Sequence, residues 1–137
     1  MRSGSSKKIL TVDDDEEIRI ALADMLEMEG FETVWAKNGQ VALEYLRRIP
    51  DGELPDLVLL DYMMPIMNGQ QFYQEMRKER RLNHIPVVVM TANGNLVNVM
   101  ERVNVGGFMS KPMDYDTVVK MVKHFLLPDA GSEPMFI

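Results

Sequence analysis

Cysteine is absent from this 137-residue sequence, which excludes disulfide bonds, thiolate metal ligands and a cysteine nucleophile. Long apolar runs are absent too, since no segment approaches the roughly 20 residues that a membrane-spanning helix needs. The first residues, Met1 to Ser6, lack the apolar stretch of a secretory signal. These absences predict a cytoplasmic protein that does not associate with a membrane.

Basic charge is also scarce. The chain has 15 Lys and Arg against 21 Asp and Glu, a net charge of -6, and its one short basic run, Arg77-Lys78-Glu79-Arg80-Arg81, contains an acid. Nucleic-acid surfaces need clustered positive charge to neutralise phosphates. We therefore predict no direct binding of nucleic acid, so a transcriptional output would need another domain or protein.

The length accommodates one hydrophobic core, because single domains commonly have about 100 to 150 residues. We predict one domain over residues 7–127. Residues 1–6 read as a flexible lead or an expression remnant. Residues 128–137 contain Pro, Gly, Ser and acidic residues and read as a tail or a linker.

Five short apolar runs alternate with five stretches of helical period. The runs predict strands at residues 8–12, 32–36, 57–60, 85–90 and 107–109, and the helices are predicted at about 18–29, 40–48, 69–81, 96–103 and 115–126. Such alternation is typical of an α/β fold, because parallel neighbouring strands need crossover helices. We predict a flavodoxin-like, doubly wound parallel sheet with strand order 2-1-3-4-5, one common solution that periodicity alone does not select. Trp35, near the end of the second strand, is predicted to be a packing residue.

Polar residues stand where the predicted strands end: Asp13 and Asp14, Asp61, Thr91, and Lys111. Doubly wound sheets bind their ligands at this edge. Three carboxylates together would repel one another unless a cation offsets their charge. Oxygen ligands favour Mg²⁺, with Mn²⁺ possible, over zinc. The alternative for the first two acids is capping of the following helix by Asp14 or Asp15.

An aspartate beside a metal ion and a lysine can act as a nucleophile on a phosphoryl group and form an acyl phosphate. In that chemistry Asp61 is the candidate nucleophile. Lys111 would neutralise phosphoryl charge, and the Thr91 hydroxyl and Ala92 N–H would donate hydrogen bonds to phosphoryl oxygens. Each residue type thus has a role in phosphoryl transfer.

The motifs that carry these residues form an ordered set: Ile9-Leu10-Thr11-Val12-Asp13-Asp14-Asp15, Asp56-Leu57-Val58-Leu59-Leu60-Asp61-Tyr62-Met63-Met64-Pro65, Asn68-Gly69, Pro86-Val87-Val88-Val89-Met90-Thr91-Ala92 and Phe108-Met109-Ser110-Lys111-Pro112. In this order they resemble the receiver domains of two-component response regulators, including single-domain chemotaxis regulators. The resemblance covers about residues 7–127.

The resemblance implies that Asp61 accepts phosphate from a sensor histidine kinase or a phosphotransfer protein. It also implies that Mg²⁺ binds Asp13, Asp14, Asp61 and the backbone carbonyl of Met63. A cis peptide bond is expected before Pro112.

The resemblance further implies a switch, in which Thr91 turns toward the phosphoryl group and Phe108 changes rotamer with it. Partner binding would then change on a face made by the fourth predicted helix, the fifth strand and the fifth helix. The chain would be a monomer or a phosphorylation-dependent dimer. Contributors to the face would include Val97, Asn98, Met100, Glu101, Phe108, Met109 and Tyr115.

Three function classes stay open at this point. The first is a phosphoacceptor that is not a multiple-turnover enzyme. The second is a phosphatase of the haloacid dehalogenase type, which needs an acid two residues after its nucleophile, where this chain has Met63. The third is a scaffold that is never phosphorylated. Met63 and Asn93 occupy positions that tune phosphoryl lifetime in the resembled family.

Overall fold

The computed structural model describes residues 6–64, 66–92, 106–127 and 135–136. The predicted fourth helix at about 96–103 lies outside these ranges. So do Asn93 and four of the predicted face residues, Val97, Asn98, Met100 and Glu101.

Parallel strands form a single sheet in the order β2-β1-β3-β4-β5-β6. Its strands are β1 (Lys8–Val12), β2 (Glu32–Ala36), β3 (Leu57–Asp61), β4 (Val87–Thr91), β5 (Gly107–Ser110) and β6 (Met135–Phe136). Every residue of β1, β3 and β4 is buried, because helices cover both faces of these central strands. The predicted order 2-1-3-4-5 is confirmed.

The described ranges contain four α-helices: α1 (Glu16–Met28), α2 (Gly39–Arg48), α3 (Gly69–Arg77) and α4 (Tyr115–Leu126), the last being the fifth helix predicted from the sequence. A side-chain oxygen at each N-cap accepts from a backbone N–H of the first turn, and the cap residues are Asp15, Asn38, Asn68 and Asp114. Such caps satisfy N–H groups that have no partner within the helix. The longest of these helices has 13 residues, and none could cross a membrane.

The helices divide the apolar core into two layers, one on each face of the sheet. One layer packs α2 and α3 against the sheet and includes Leu43, Leu46, Phe72 and Met76. The other packs α1 and α4 against the opposite face and includes Leu22, Leu26, Val118 and Val122. Because the strands between these layers are parallel, the carboxyl ends of β1, β3, β4 and β5 come to one edge of the sheet.

The third helix is shorter than the sequence predicted. It ends at Arg77 rather than at about Arg81, and tighter turns follow, with the Leu82 N–H donating to the Glu79 carbonyl at 3.0 Å. Arg81 explains the change, because its guanidinium donates to the Ile49 carbonyl at 2.7 Å and forms an ion pair with Asp51. These partners lie beyond α2, and the tighter turns after Arg77 place Arg81 against them.

Two edge features also differ from expectation. Trp35 was predicted to be a packing residue, but β2 is an edge strand and 59% of Trp35 is exposed. At the other edge, Met135 and Phe136 pair with Gly107 and Phe108 of β5. The tail was predicted only as a tail or linker, and no strand was predicted there.

Candidate functional site

Three carboxylates meet at the carboxyl edge of the sheet. Asp13 directly follows β1, and Asp61 is the last residue of β3. With Asp14, each offers an oxygen that lies within 4.8 Å of the others. Asp13 and Asp61 are buried while Asp14 is exposed, so the cluster opens to solvent on one side.

In the turn after β1, one aspartate caps α1 and the other two belong to the carboxylate cluster. Asp15 is the N-cap of α1, and its Oδ1 accepts from the Glu17 N–H at 2.9 Å. The Asp13 Oδ1 accepts from the Asp15 N–H, also at 2.9 Å. Of the two capping candidates, Asp15 therefore fills the role, and the carboxylates of Asp13 and Asp14 are directed to the cluster.

Lys111 brings the positive charge of the site. Its Nζ lies 3.0 Å from the Asp13 Oδ2 and 3.2 Å from the Asp61 Oδ1. Burial alone would lower the pKa of Lys111, but the hydrogen bond to Asp13 and the charge of Asp61 outweigh it and raise the pKa above its ordinary value. Lys111 is therefore a fixed cation between two acids.

The Lys111 backbone is also held in place. Its N–H donates to the Thr91 carbonyl at 2.9 Å, and the peptide bond to Pro112 is cis, as the sequence predicted. The hydrogen bond connects the loop after β5 to the end of β4.

Asp61 is difficult to ionise in the metal-free site. Burial and then the charge of Asp13 raise its pKa from 3.8 to about 6, against the opposing effects of Lys111 and the Met63 N–H. A second cation would relieve this cost, because one ammonium does not balance three carboxylates. An all-oxygen donor set that is partly open to solvent suits Mg²⁺, which keeps several waters when bound to proteins. The residues present therefore fit this ion.

The other predicted site residues lie at varying distances from the cluster. Thr91 is buried at the end of β4, opposite Ser110, and Ala92 is exposed just beyond it. The Met63 N–H lies 3.4 Å from the Asp61 Oδ1, and 64% of Met63 is exposed. The Met63 carbonyl as a metal ligand stays a prediction, as do the roles of Thr91 and Ala92.

Phe108 and Met109 were predicted to contribute to a partner-binding face, and this is wrong for the state seen here. Phe108 is 3% exposed and Met109 is fully buried. They point to opposite faces of β5 and pack in opposite core layers. Phe108 as a switch residue stays a prediction.

Sequence reasoning missed the role of Gly69, although it singled out the Asn68-Gly69 motif. A Cβ at residue 69 would lie 2.6 Å from the Asp61 carbonyl oxygen and 2.8 Å from the Tyr62 Cα. The Gly69 N–H donates to the Tyr62 carbonyl at 2.9 Å. Glycine thus allows the start of α3 to approach the backbone of Asp61, a contact that only the fold reveals.

Comparisons with known proteins agree with this geometry. A sequence model of the family described as "Response regulator receiver domain" matches residues 9–123. The chain is 37% identical over 123 residues to Sporulation initiation phosphotransferase F of Bacillus subtilis (strain 168), covering 88% of this chain and 94% of that protein.

Two further matches extend the comparison. The chain is 36% identical over 133 residues to Response regulator Rre1 of Synechocystis sp. (strain ATCC 27184 / PCC 6803 / Kazusa), covering 91% of this chain but only 56% of that protein. The solved structure of the phosphorylated cyanobacterial phytochrome response regulator RcpA superposes with a TM-score of 0.77 at 26% identity, covering 92% of this chain and 97% of that one. The chain thus spans about half of Rre1 and nearly all of phosphotransferase F.

Proposed function

The chain belongs to the response regulator receiver domain family of two-component signalling, and from this premise we propose that Asp61 accepts a phosphoryl group in a Mg²⁺-dependent reaction. The observation that carries the proposal is the convergence of Asp13, Asp14, Asp61 and Lys111 at one edge of the sheet. Residues 7–127 would form the functional unit.

The proposed reaction is transfer from a phosphohistidine on a sensor kinase or a phosphotransfer protein. An Asp61 carboxylate oxygen attacks the phosphorus, the new O–P bond forms as the N–P bond breaks, and the imidazole leaves. Lys111 moves from pairing two carboxylates to pairing the phosphoryl oxygens. Asp13, Asp14, Asp61 and the Met63 carbonyl would hold Mg²⁺, which would supply the remaining positive charge. Mn²⁺ should substitute for Mg²⁺.

The site has room for a donor beside Lys111. An apolar pocket of about 310 Å³ lies between α1 and the loop after β5, and its lining includes Ile18, Met25, Ala92 and Met113. Apolar surface next to a polar reaction centre suits the side chains that flank a phosphohistidine on a partner helix. The pocket therefore supports a protein donor for this site.

Phosphorylation would then alter binding of an output domain or protein. Lys111 directly follows β5, so a phosphoryl group that draws on Lys111 acts on the end of this strand. Thr91 and Phe108 would carry the change further, and Tyr115 on α4 is the remaining described member of the predicted face. In the same proposal the chain is a monomer or a dimer that forms on phosphorylation.

The two other function classes find less support. A phosphatase of the haloacid dehalogenase type needs an acid at the position of Met63, whose side chain cannot transfer a proton. A permanent scaffold would have no need of the complete set of Asp13, Asp14, Asp61, Thr91 and Lys111. Multiple turnover on a phosphomonoester would favour the enzyme class, and we expect none.

Incubation with Mg²⁺ and a small phosphodonor such as acetyl phosphate tests the proposal. Intact-mass measurement should show one added phosphate on the wild type and none on Asp61→Asn, with Asp24→Asn, an exposed aspartate of α1, as the matched control. Equal labelling of the wild type and Asp61→Asn would refute the assignment. Omission of Mg²⁺ should abolish labelling of the wild type.

A further inference from the structure

Arg19, on the first turns of α1, makes two contacts that join the acidic cluster to the protein surface. Its Nη1 donates a hydrogen bond to the Asp13 backbone carbonyl at 2.9 Å. Its guanidinium carbon also lies 4.0 Å from the centre of the Trp35 ring, well within the roughly 6 Å at which a cation and an aromatic face attract each other. One side chain therefore connects Trp35 to Asp13.

The two contacts complete a frame around the Asp13 backbone. The Asp13 N–H donates to the carbonyl of Ala36, the residue after Trp35, at 3.1 Å. The Asp13 carbonyl accepts from Arg19 on the other side. The end of β1 is thus held by the end of β2 through one peptide group and by α1 through the next.

The frame is important because both carboxylate oxygens of Asp13 already have partners. Its Oδ1 accepts from the Asp15 N–H and its Oδ2 binds Lys111. Mg²⁺ demands a nearly ideal octahedral arrangement of ligands, so a small rotation of the turn would misplace Asp13 and Asp14 together. A hydrogen bond from a charged donor is roughly twice as strong as a neutral one, which makes Arg19 an effective restraint on that turn.

We propose that Arg19 is a positioning residue for the metal site, holding the turn that carries Asp13 and Asp14, and that it couples Trp35 to the state of the site. The proposal rests on the proposed function for the identity of the bound ion. Arg19 itself would not be a ligand of the ion, because its guanidinium donates to the Asp13 backbone carbonyl. Its effect on binding is therefore indirect.

Two substitutions test the hydrogen bond that Arg19 donates to the Asp13 carbonyl. Arg19→Met keeps the apolar stem but removes the donor, and it should weaken Mg²⁺ binding about tenfold, the lower end of the loss seen when a group that supports a metal ligand is removed. Arg19→Lys keeps one charged donor and should restore part of the affinity. Calorimetric titration with MgCl₂ measures both.

Trp35 provides a second readout because it is the single tryptophan of the chain. In the wild type its emission should change as Mg²⁺ binds, and in Arg19→Met this change should be lost even at saturating Mg²⁺. In the metal-free protein, acrylamide should quench Trp35 more strongly in Arg19→Met, since the guanidinium no longer covers the ring. A merely structural role would leave the response to Mg²⁺ intact.

Arg47→Met is the matched control. Arg47 is also partly exposed and forms an ion pair with Glu79 at 2.6 Å on the surface, at the far end of α2. This variant should bind Mg²⁺ with the wild-type affinity and keep the wild-type emission change. Thermal unfolding of the metal-free variants confirms that each one is folded.

The outcomes distinguish this inference from the proposed function. If the wild type binds Mg²⁺ and Arg19→Met binds it equally well with the same emission change, the role of Arg19 is refuted while the metal site stands. If the wild type does not bind Mg²⁺, the proposed function fails. The Arg19 restraint is then decided by the amide NMR shifts of Asp13 to Asp15 in the metal-free protein, and unchanged shifts in Arg19→Met would refute it.

Discussion

Replacing Asp61 with Asn should stabilise the metal-free protein at neutral pH, although it removes the proposed phosphoacceptor. The substitution keeps the size of the side chain and eliminates a charge that the folded site disfavours. Burial and the charge of Asp13 raise the pKa of Asp61 from 3.8 to about 6. The wild type must therefore accept an unfavourable ionisation that the variant avoids.

The sign and size of the effect follow from linkage between proton binding and folding. The raised pKa means that between about pH 4 and pH 6 the folded state holds a proton that the unfolded state has released. Wild-type stability is thus lost as pH rises through this window, and each pKa unit corresponds to about 1.36 kcal/mol. Between pH 4.5 and pH 8 the stability of Asp61→Asn relative to the wild type should rise by about 2 kcal/mol.

Urea unfolding of the metal-free protein, measured at several pH values between 4.5 and 8, gives this difference directly. Taking the difference cancels the contribution of carboxylates that lie away from Asp61, which both proteins share. Asp24→Asn removes an exposed aspartate from α1 and serves as the matched control, with a stability curve parallel to that of the wild type. Parallel curves of stability against pH for the wild type and Asp61→Asn would show that the pKa of Asp61 is not raised by folding.

Magnesium should narrow the stability difference between Asp61→Asn and the wild type at pH 8. An ion that binds only the folded state stabilises it by about 2.7 kcal/mol at a concentration 100 times its dissociation constant. The wild type should gain this increment at pH 8, while Asp61→Asn, which lacks one ligand charge, should gain less. An equal gain in both proteins would mean that Asp61 does not contribute to the ion site.

Three further changes have definite expected results. Lys111→Met should slow labelling by acetyl phosphate about 100-fold, because charge stabilisation of the transferring group is lost. Mg²⁺ should nevertheless bind this variant at least as tightly as the wild type, since a competing cation has gone. Weaker Mg²⁺ binding in calorimetry would contradict this. Gly69→Ala should cost about 1 to 3 kcal/mol in urea unfolding, because the added Cβ would overlap the Asp61 backbone, and a loss under about 0.5 kcal/mol would show that the overlap is relieved. Asp15→Ala should cost about 1 kcal/mol through loss of the α1 cap, and an unchanged unfolding midpoint would contradict that role.

Most of the fold could be predicted from the sequence, because the patterns that indicate strands and helices are local and recur along the chain. Continuous apolar runs indicated that β3 and β4 are central strands, since both of their faces are covered. Polar residues that ended these strands predicted the site, because the carboxyl ends of parallel strands must meet at one edge. The acidic cluster and its lysine could therefore be predicted from the sequence alone.

The features that escaped prediction depend on contacts distant in sequence. The early end of α3 follows from the binding of Arg81 to the carbonyl of Ile49, and no local pattern records that pairing. Trp35 reads as a packing residue from its type, but its place on an edge strand exposes it. Arg19 and Gly69 look ordinary until the fold places them against the backbones of Asp13 and Asp61.

Chemical trapping of the acyl phosphate shows which aspartate carries it, and we expect that aspartate to be Asp61. After labelling with acetyl phosphate and Mg²⁺, reduction with borohydride converts a phosphorylated aspartate to homoserine, which peptide mass spectrometry locates. Conversion is expected at Asp61, with Asp13 and Asp14 unmodified. Conversion at Asp13 or Asp14, or at no aspartate of a protein that has been shown to carry phosphate, would contradict this expectation.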